Sequence, residues 1–314
     1  MFHRSVISIL LMVVVVLSTG CPLPTCEMDV THIRQEKRLR SYYTYVPESV
    51  KAGGQASFVV IALHGFGQTG EGMAKLTGLN ELADEFNCVV VYPNGVSRRW
   101  NYDLVSIPGS VLFPELDDVA FIDEVAGAVR AAWNLTPAQT FITGFSNGAF
   151  MAQRYAIERG ESLGGIATVA GTLAEDVATT LTPTAELPVL HIHGLDDPQI
   201  PFEGGDIAQG PGQTASIVSA RDLIAIWTSV NECVPLPSPE DLPDADPNDG
   251  TTTSVESYGP CHSENELKLY VVDGGGHTWP GHPGGFPEVV VGLTALDFDA
   301  STVILDFFAA ASGE

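Results

Sequence analysis

The pentapeptide Gly144-Phe145-Ser146-Asn147-Gly148 sets a serine between two glycines, where an apolar, β-branched run ends and a helical pattern begins. Upstream, Thr140-Phe141-Ile142-Thr143 reads as strand; downstream, Ala149, Met151, Ala152 and Tyr155 read as helix. A serine on so sharp a turn holds its oxygen clear of the backbone at the top of a sheet, and the flanking glycines leave room for the strained chain. The chemistry open to it is nucleophilic attack on a carbonyl, provided a neighbouring base removes its proton. Gly160-Glu161-Ser162-Leu163-Gly164 fits the same pattern, but it follows a helical segment whose end Gly160 marks. No strand feeds Ser162, so Ser146 is the candidate nucleophile.

Such a serine needs a base, a carboxylate that orients the base, and donors for the oxyanion. The last apolar strand, Glu266 to Val272, leads into Asp273-Gly274-Gly275-Gly276-His277, where three glycines give the imidazole a backbone able to bring it across to the serine. His282 competes, further from the strand. Leu187 to Gly194 reads as another strand and ends in Asp196 and Asp197, at the carboxyl end where open α/β sheets place ligand-facing residues; these residues alone leave open which carboxylate serves. After the apolar run Ala56 to Leu63 comes the glycine-rich His64-Gly65-Phe66-Gly67-Gln68. Its Phe66 amide and that of Asn147 are the candidate oxyanion donors.

The elements that position these residues alternate. Arg40 to Pro47 reads as an early strand stopped by proline, Cys88 to Pro93 and Gly165 to Gly171 as further strands, and Met73 to Phe86 and Ala300 to Ala310 as helices. Asp118 is the expected N-cap of a helix from Val119 to Trp133. Runs apolar at every position mark strands covered on both faces. The pattern predicts an α/β fold with a mainly parallel central sheet and helices on both faces, in one domain spanning 40–314. Trp100, in the loop before Asp118, either walls a substrate cleft or packs.

Residues 1–20 join a basic start to the apolar run Val6 to Leu17, too short to span a bilayer and suited to a signal peptide. Leu17-Ser18-Thr19-Gly20-Cys21 makes Cys21 a candidate for a lipid anchor, and 21–39 reads as a linker. A formal net charge of −25 disfavours nucleic acid and anionic membranes as partners, and it keeps an exported protein soluble. Cys233 and Cys261 are spaced for a local disulfide; Cys26 with Cys88 follows by elimination, unless Cys88 is a plain core thiol. No cysteine-histidine cluster indicates a metal. Asp244, Asp246 and Asn248 alternate like calcium ligands, but Asp249 occupies the turn-glycine position and Val255 the twelfth, so a solvated loop is the favoured reading.

The chain resembles exported poly(3-hydroxybutyrate) depolymerase-like and feruloyl esterase-like enzymes of the α/β-hydrolase superfamily, from about Arg40 to Phe308. The resemblance is carried by Leu63-His64-Gly65 with Gln68, Val91-Tyr92-Pro93 with Trp100-Asn101, Asp117-Asp118-Val119, Thr143 to Ala149, His193-Gly194 with Asp197 and Pro201, and Gly274 to Gly281. It implies the α/β-hydrolase fold, with Ser146 as nucleophile, His277 as base, Asp197 as orienting acid (the fifth residue counted from His193), and Cys233 paired with Cys261. It also makes Trp100 and Trp279 candidates for substrate contact, and it implies no cofactor. Phe66 departs from the cysteine many relatives carry, and the acidic loop before Cys261 is particular to this chain. The expected activity is hydrolysis of carboxylic esters through an acyl-enzyme, on polyhydroxybutyrate-type polyester or its oligomers. The alternatives are a feruloyl or acetylxylan esterase, a peptidase, and a non-catalytic surface lipoprotein that binds polymer.

Overall fold

The computed structural model describes residues 28–35, 38–104, 116–210, 213–284 and 286–313. The leader segment, Cys21 and Cys26 lie outside these residues. The strands in chain order are β1 (Asp29–Gln35), β2 (Arg38–Tyr45), β3 (Val59–Leu63), β4 (Val89–Pro93), β5 (Thr140–Phe145), β6 (Gly165–Val169), β7 (Val189–Gly194), β8 (Gly205–Gly210), β9 (Gln213–Ile217), β10 (Ser238–Asp241), β11 (Thr252–Tyr258) and β12 (Leu267–Asp273). Among the described residues, ten of them form one sheet in the order β1-β2-β4-β3-β5-β6-β7-β12-β11-β10, while β8 and β9 pair separately as a hairpin. The six central strands, β4 through β12 in that order, are parallel. Both flanks are antiparallel.

Side chains alternate across this sheet into two cores. Val59, Ile61, Leu63, Val89 and Val91 face one side, with helices Asp118–Trp133, Asn147–Arg159 and Ala220–Val230 packed there. Phe58, Val60, Ala62, Val90 and Tyr92 face the other, covered by Gly70–Thr77, Leu79–Ala83 and Ala300–Ser312. Burial on both faces is the reason these strands are apolar without interruption. The order β4-β3-β5 reverses direction at β3, so the connections after β3 and β5 leave on opposite sides and open a crevice at the carboxyl ends of these two strands. Ser146 and the 64–70 loop both stand at that crevice.

The structure corrects the sequence reading in four places. Asp29–Gln35, inside the expected linker 21–39, pairs along its length with β2. The helix expected from Met73 to Phe86 is two helices interrupted at Gly78. The expected acidic surface loop contributes β10 to the sheet edge. Asp117, not Asp118, caps helix Asp118–Trp133: its carboxylate accepts from the Ala120 amide at 2.8 Å. Asp118 is instead buried and forms an ion pair with Arg40 at 2.6 Å, each side chain 1 % exposed. The Cys233–Cys261 disulfide joins the chain after helix Ala220–Val230 to the turn before β12. Cys88 is a free thiol with no exposed surface, and burial pushes its pKa up.

Candidate active site

Ser146 sits between β5 and helix Asn147–Arg159 with φ 54° and ψ −120°, a conformation that costs a non-glycine residue energy and persists only where its surroundings enforce it. The enforcement is visible. The Ser146 amide donates to the Val169 carbonyl at 3.0 Å. The turn is also packed too tightly for side chains on either side: a Cβ at Gly144 would lie 2.3 Å from the Gly148 carbonyl oxygen, and one at Gly148 would lie 2.1 Å from that of Leu63. The two glycines are steric requirements of this elbow.

The Ser146 hydroxyl meets Nε2 of His277 at 2.8 Å, and Nδ1 of His277 meets Oδ2 of Asp197 at 2.7 Å. Asp197 acts only as an acceptor, so Nδ1 carries the proton that it donates to the carboxylate and Nε2 is left to accept from the serine. Oδ1 of Asp197 accepts from the amides of Gln199 and Ile200, both at 2.8 Å. A buried carboxylate with these three donors is held in one orientation. The β7 and β12 connections that carry it and His277 are tied together, since the Asp196 amide donates to the Gly275 carbonyl at 3.0 Å. Asp196 itself points to solvent. The competing His282 pairs with Asp299 at 2.7 Å and does not join the serine.

Phe66 and Asn147, whose amides are the candidate oxyanion donors, both line the space beside the serine. The 64–66 loop is held by His64, whose Nε2 accepts from the Gly95 amide at 3.0 Å while Nδ1 donates to the Gly65 carbonyl at 2.8 Å. The bond accepted at Nε2 needs a neutral ring, and burial lowers the His64 pKa to about 4. Asn147 is fixed from its side chain: Oδ1 accepts from the Trp100 amide at 2.7 Å and Nδ2 donates to the Trp100 carbonyl at 3.3 Å.

Both candidate tryptophans are buried, and Trp279 lies in the wall of a cavity that also contains His277. Trp100 has no exposed surface, its indole N–H donates to the His64 carbonyl at 3.0 Å, and its role is to clamp the 64–66 loop to Asn147. Trp279 is equally buried and donates to Ser301 at 3.0 Å. The open space beside Ser146 and Asn147 is a cavity of about 220 Å³ that the sequence reading missed, walled by Phe66, Tyr102, Phe150, Ile200 and Ile207, with Arg99 at its edge. Tyr102 and Phe150 stack with centroids 4.7 Å apart. A second cavity, of about 410 Å³, has His277 in its wall. No group of three or more His, Cys, Asp or Glu side chains among the described residues is arranged to hold a metal. In the loop with the calcium-like spacing the carboxylates serve as turn acceptors, Asp246 for the Asn248 amide and Asp249 for the Thr251 amide.

The phospholipase/carboxylesterase family model matches residues 120–217, the segment running from helix Asp118–Trp133 through β9. NocK of Nocardia uniformis subsp. tsuyamanensis, a protein assigned to the esterases by name, is 31% identical over 283 residues, covering 86% of this chain and 79% of its own length. Feruloyl esterase C of Emericella nidulans is 27% identical over 195 residues, covering 60% of this chain and 65% of that relative. Among solved structures, an acetyl xylan esterase from Aspergillus awamori superposes with a TM-score of 0.56 at 14% identity, over 89% of this chain and 98% of the other, a likeness of fold. By its identity with NocK over most of both chains, and with the fold of the acetyl xylan esterase, the chain belongs to the esterases of the α/β-hydrolase superfamily.

Proposed function

We propose that the chain is an exported serine carboxylesterase that works through an acyl-enzyme, cleaving hydroxycinnamoyl or short acyl esters of plant polysaccharide. The observation that carries the mechanism is the unbroken chain Ser146–His277–Asp197 at 2.8 and 2.7 Å. His277 takes the serine proton as Oγ attacks the ester carbonyl, Asp197 stabilises the imidazolium, and the Phe66 and Asn147 amides receive the oxyanion. His277 then gives the proton to the departing alcohol. Water, activated by the same imidazole, releases the acid and restores the serine.

The acyl group is proposed for the 220 Å³ cavity, which is lined by Ser146 and Asn147 and whose walls are mostly apolar and aromatic, with Arg99 and Gln199 as further polar members. That lining, with the name of the Emericella relative, favours an aromatic acid over a 3-hydroxybutyrate unit. Export rests on the apolar run Val6 to Leu17.

The test is hydrolysis of methyl ferulate, acetylated xylan and 3-hydroxybutyrate oligomers side by side by the mature chain. Ferulate is expected to lead, and Ser146→Ala to lose at least about a thousandfold in kcat together with fluorophosphonate labelling. Preference for the butyrate oligomers would move the substrate to polyester, and equal inertness of wild type and variant on all three would sink the catalytic reading.

A further inference from the structure

The acidic loop between Val234 and Thr253 has no part in the chemistry above, yet it reaches the active site. Asn248 and Asp249 stand in the wall of the 410 Å³ cavity together with His282, Phe286, Glu288 and Leu296, and His277 lines it too. The loop is stitched in place. Oδ2 of Asp249 accepts from the Leu296 amide at 2.7 Å, its Oδ1 accepts from the Thr251 amide at 2.7 Å, and the Ala245 amide donates to Asp297 at 2.9 Å. Both oxygens of Asp249 are thus committed to backbone, which makes the loop a fixed wall.

Proton delivery decides what such a cavity receives. The departing alcohol oxygen must sit at Nε2 of His277 to be protonated, while the carbonyl must sit at the Asn147 amide. An ester bound productively therefore straddles the serine. Its acyl part lies in the cavity that contains Ser146 and Asn147, and its alcohol extends along His277. We infer that the 410 Å³ cavity is the alcohol subsite and that the acidic loop makes it selective for neutral, hydroxyl-rich alcohols, a sugar unit of uncharged polysaccharide, over alcohols bearing a carboxylate. This rests on the catalytic reading given above.

The lining supplies the two surfaces such a unit requires. The Asn248 amide and the Glu288 carboxylate exchange hydrogen bonds with hydroxyls, and the apolar faces of Phe286 and Leu296, 51 % and 37 % exposed, suit the C–H face of a sugar ring. The charge is of one sign: Asp249 and Glu288 line the cavity, and Asp244, Asp246 and Asp297 lie in or against the same loop. Of the two imidazoles in this wall, His282 is paired with Asp299 and His277 with Asp197. A uronate or another carboxylate-bearing alcohol would enter against this field without a cation to meet it.

The experiment holds the acyl group constant and varies the alcohol: methyl ferulate, feruloyl arabinose and the ferulate ester of glycolate. Wild type is expected to prefer feruloyl arabinose over methyl ferulate by about tenfold in kcat/KM, the worth of one or two hydrogen bonds, and to disfavour the glycolate ester by a similar factor. Asn248→Ala and Phe286→Ala should bring the arabinose ester down to the level of the methyl ester, leaving methyl ferulate within twofold of wild type. Glu288→Gln should raise the glycolate ester selectively. Parallel losses on methyl and arabinose esters, or a wild type indifferent to the alcohol, would overturn the inference while leaving the esterase reading intact. Inertness towards all three esters and towards acetylated xylan would overturn that reading and the inference with it.

Discussion

At the scale of single residues the Asp197 carboxylate has more support than its two backbone donors. Nε2 of His193 donates to the Ile200 carbonyl at 2.8 Å, and the amide of that same Ile200 holds Asp197. With its proton on Nε2, His193 must accept at Nδ1, and Nε2 of His191 lies there at 3.0 Å. His191 accepts in turn from Thr168 at 2.9 Å, Thr168 from Gln153 at 3.0 Å, and Gln153 from the Trp227 indole at 2.9 Å. Every donor in this buried row points the same way, from helix Ala220–Val230 to the turn carrying Asp197. Both rings are neutral: burial lowers the pKa of each, in His191 reinforced by His193, in His193 partly opposed by Asp197. His193→Leu should cost about 1 to 3 kcal/mol for the orphaned carbonyl. By letting Asp197 drift it should also lower kcat by about ten- to a hundredfold at unchanged KM. His191→Leu, one step further away, should cost similar stability with the smaller loss of rate. Urea unfolding beside ester kinetics separates the two effects, and a His193→Leu enzyme that is destabilised but turns over within twofold of wild type would mean the two amides suffice.

At the scale of elements, adjacent aspartates show how a tertiary partner overrides a local rule. The sequence pattern assigns Asp118 the N-cap of the helix that begins there; Arg40, far away on β2, takes that carboxylate and leaves the cap to Asp117. Its guanidinium stacks 3.6 Å above the Phe121 ring, donates to the Asn94 carbonyl at 3.2 Å and pairs with Asp118. Oδ2 of Asp118 accepts from the Asn101 amide, next to Trp100. Asp118→Asn should therefore cost about 3 kcal/mol or more, by leaving a buried cation unpaired, whereas Asp117→Asn, which caps equally well, should cost only a few tenths. Thermal unfolding of the two variants checks this, and equal losses would mean that the ion pair stabilises no more than the cap. The same contrast explains what was legible in the sequence. The central strands were, because burial on both faces leaves no polar position; the strand-turn-helix elbow at Ser146 was, because strand, glycine and helix signals coincide within a few residues. β1 was not, since Asp29–Gln35 is mostly exposed and polar, and neither was the β8–β9 hairpin that brings Ile207 to the acyl cavity. That cavity draws on Phe66, Tyr102, Phe150 and Ile207, residues scattered along the chain, and no spacing rule links them. Trp100 was left open between cleft wall and packing for a related reason: a tryptophan beside such motifs looks the same in sequence whether it lines the cleft or holds its walls.

For the whole molecule two electrostatic effects oppose each other as pH falls. A net charge of −25 repels itself, and protonating carboxylates relieves that strain, but ordinary carboxylates titrate mainly below pH 5. Between about pH 6.5 and 5 the histidines dominate instead. His64 has a folded pKa of about 4 against an ordinary value of 6.5; burial lowers it first, and the positive charges of Arg40 and Arg98 add to the effect. The unfolded chain thus binds a proton in this window that the native state refuses, so stability must fall as pH is lowered. For His64 alone the loss from pH 7 to 5 comes to about 2 kcal/mol. His191 and His193 shift in the same direction and add to it. Protonated His64 could no longer accept from the Gly95 amide, which ties the oxyanion loop to the same titration. Urea midpoints at pH 7, 6 and 5 should therefore fall steadily, against the usual expectation that so acidic a protein gains stability on mild acidification. A constant or rising midpoint over that range would mean that relief of charge repulsion outweighs the buried imidazoles, and that the row from Trp227 to Ile200 tolerates a proton.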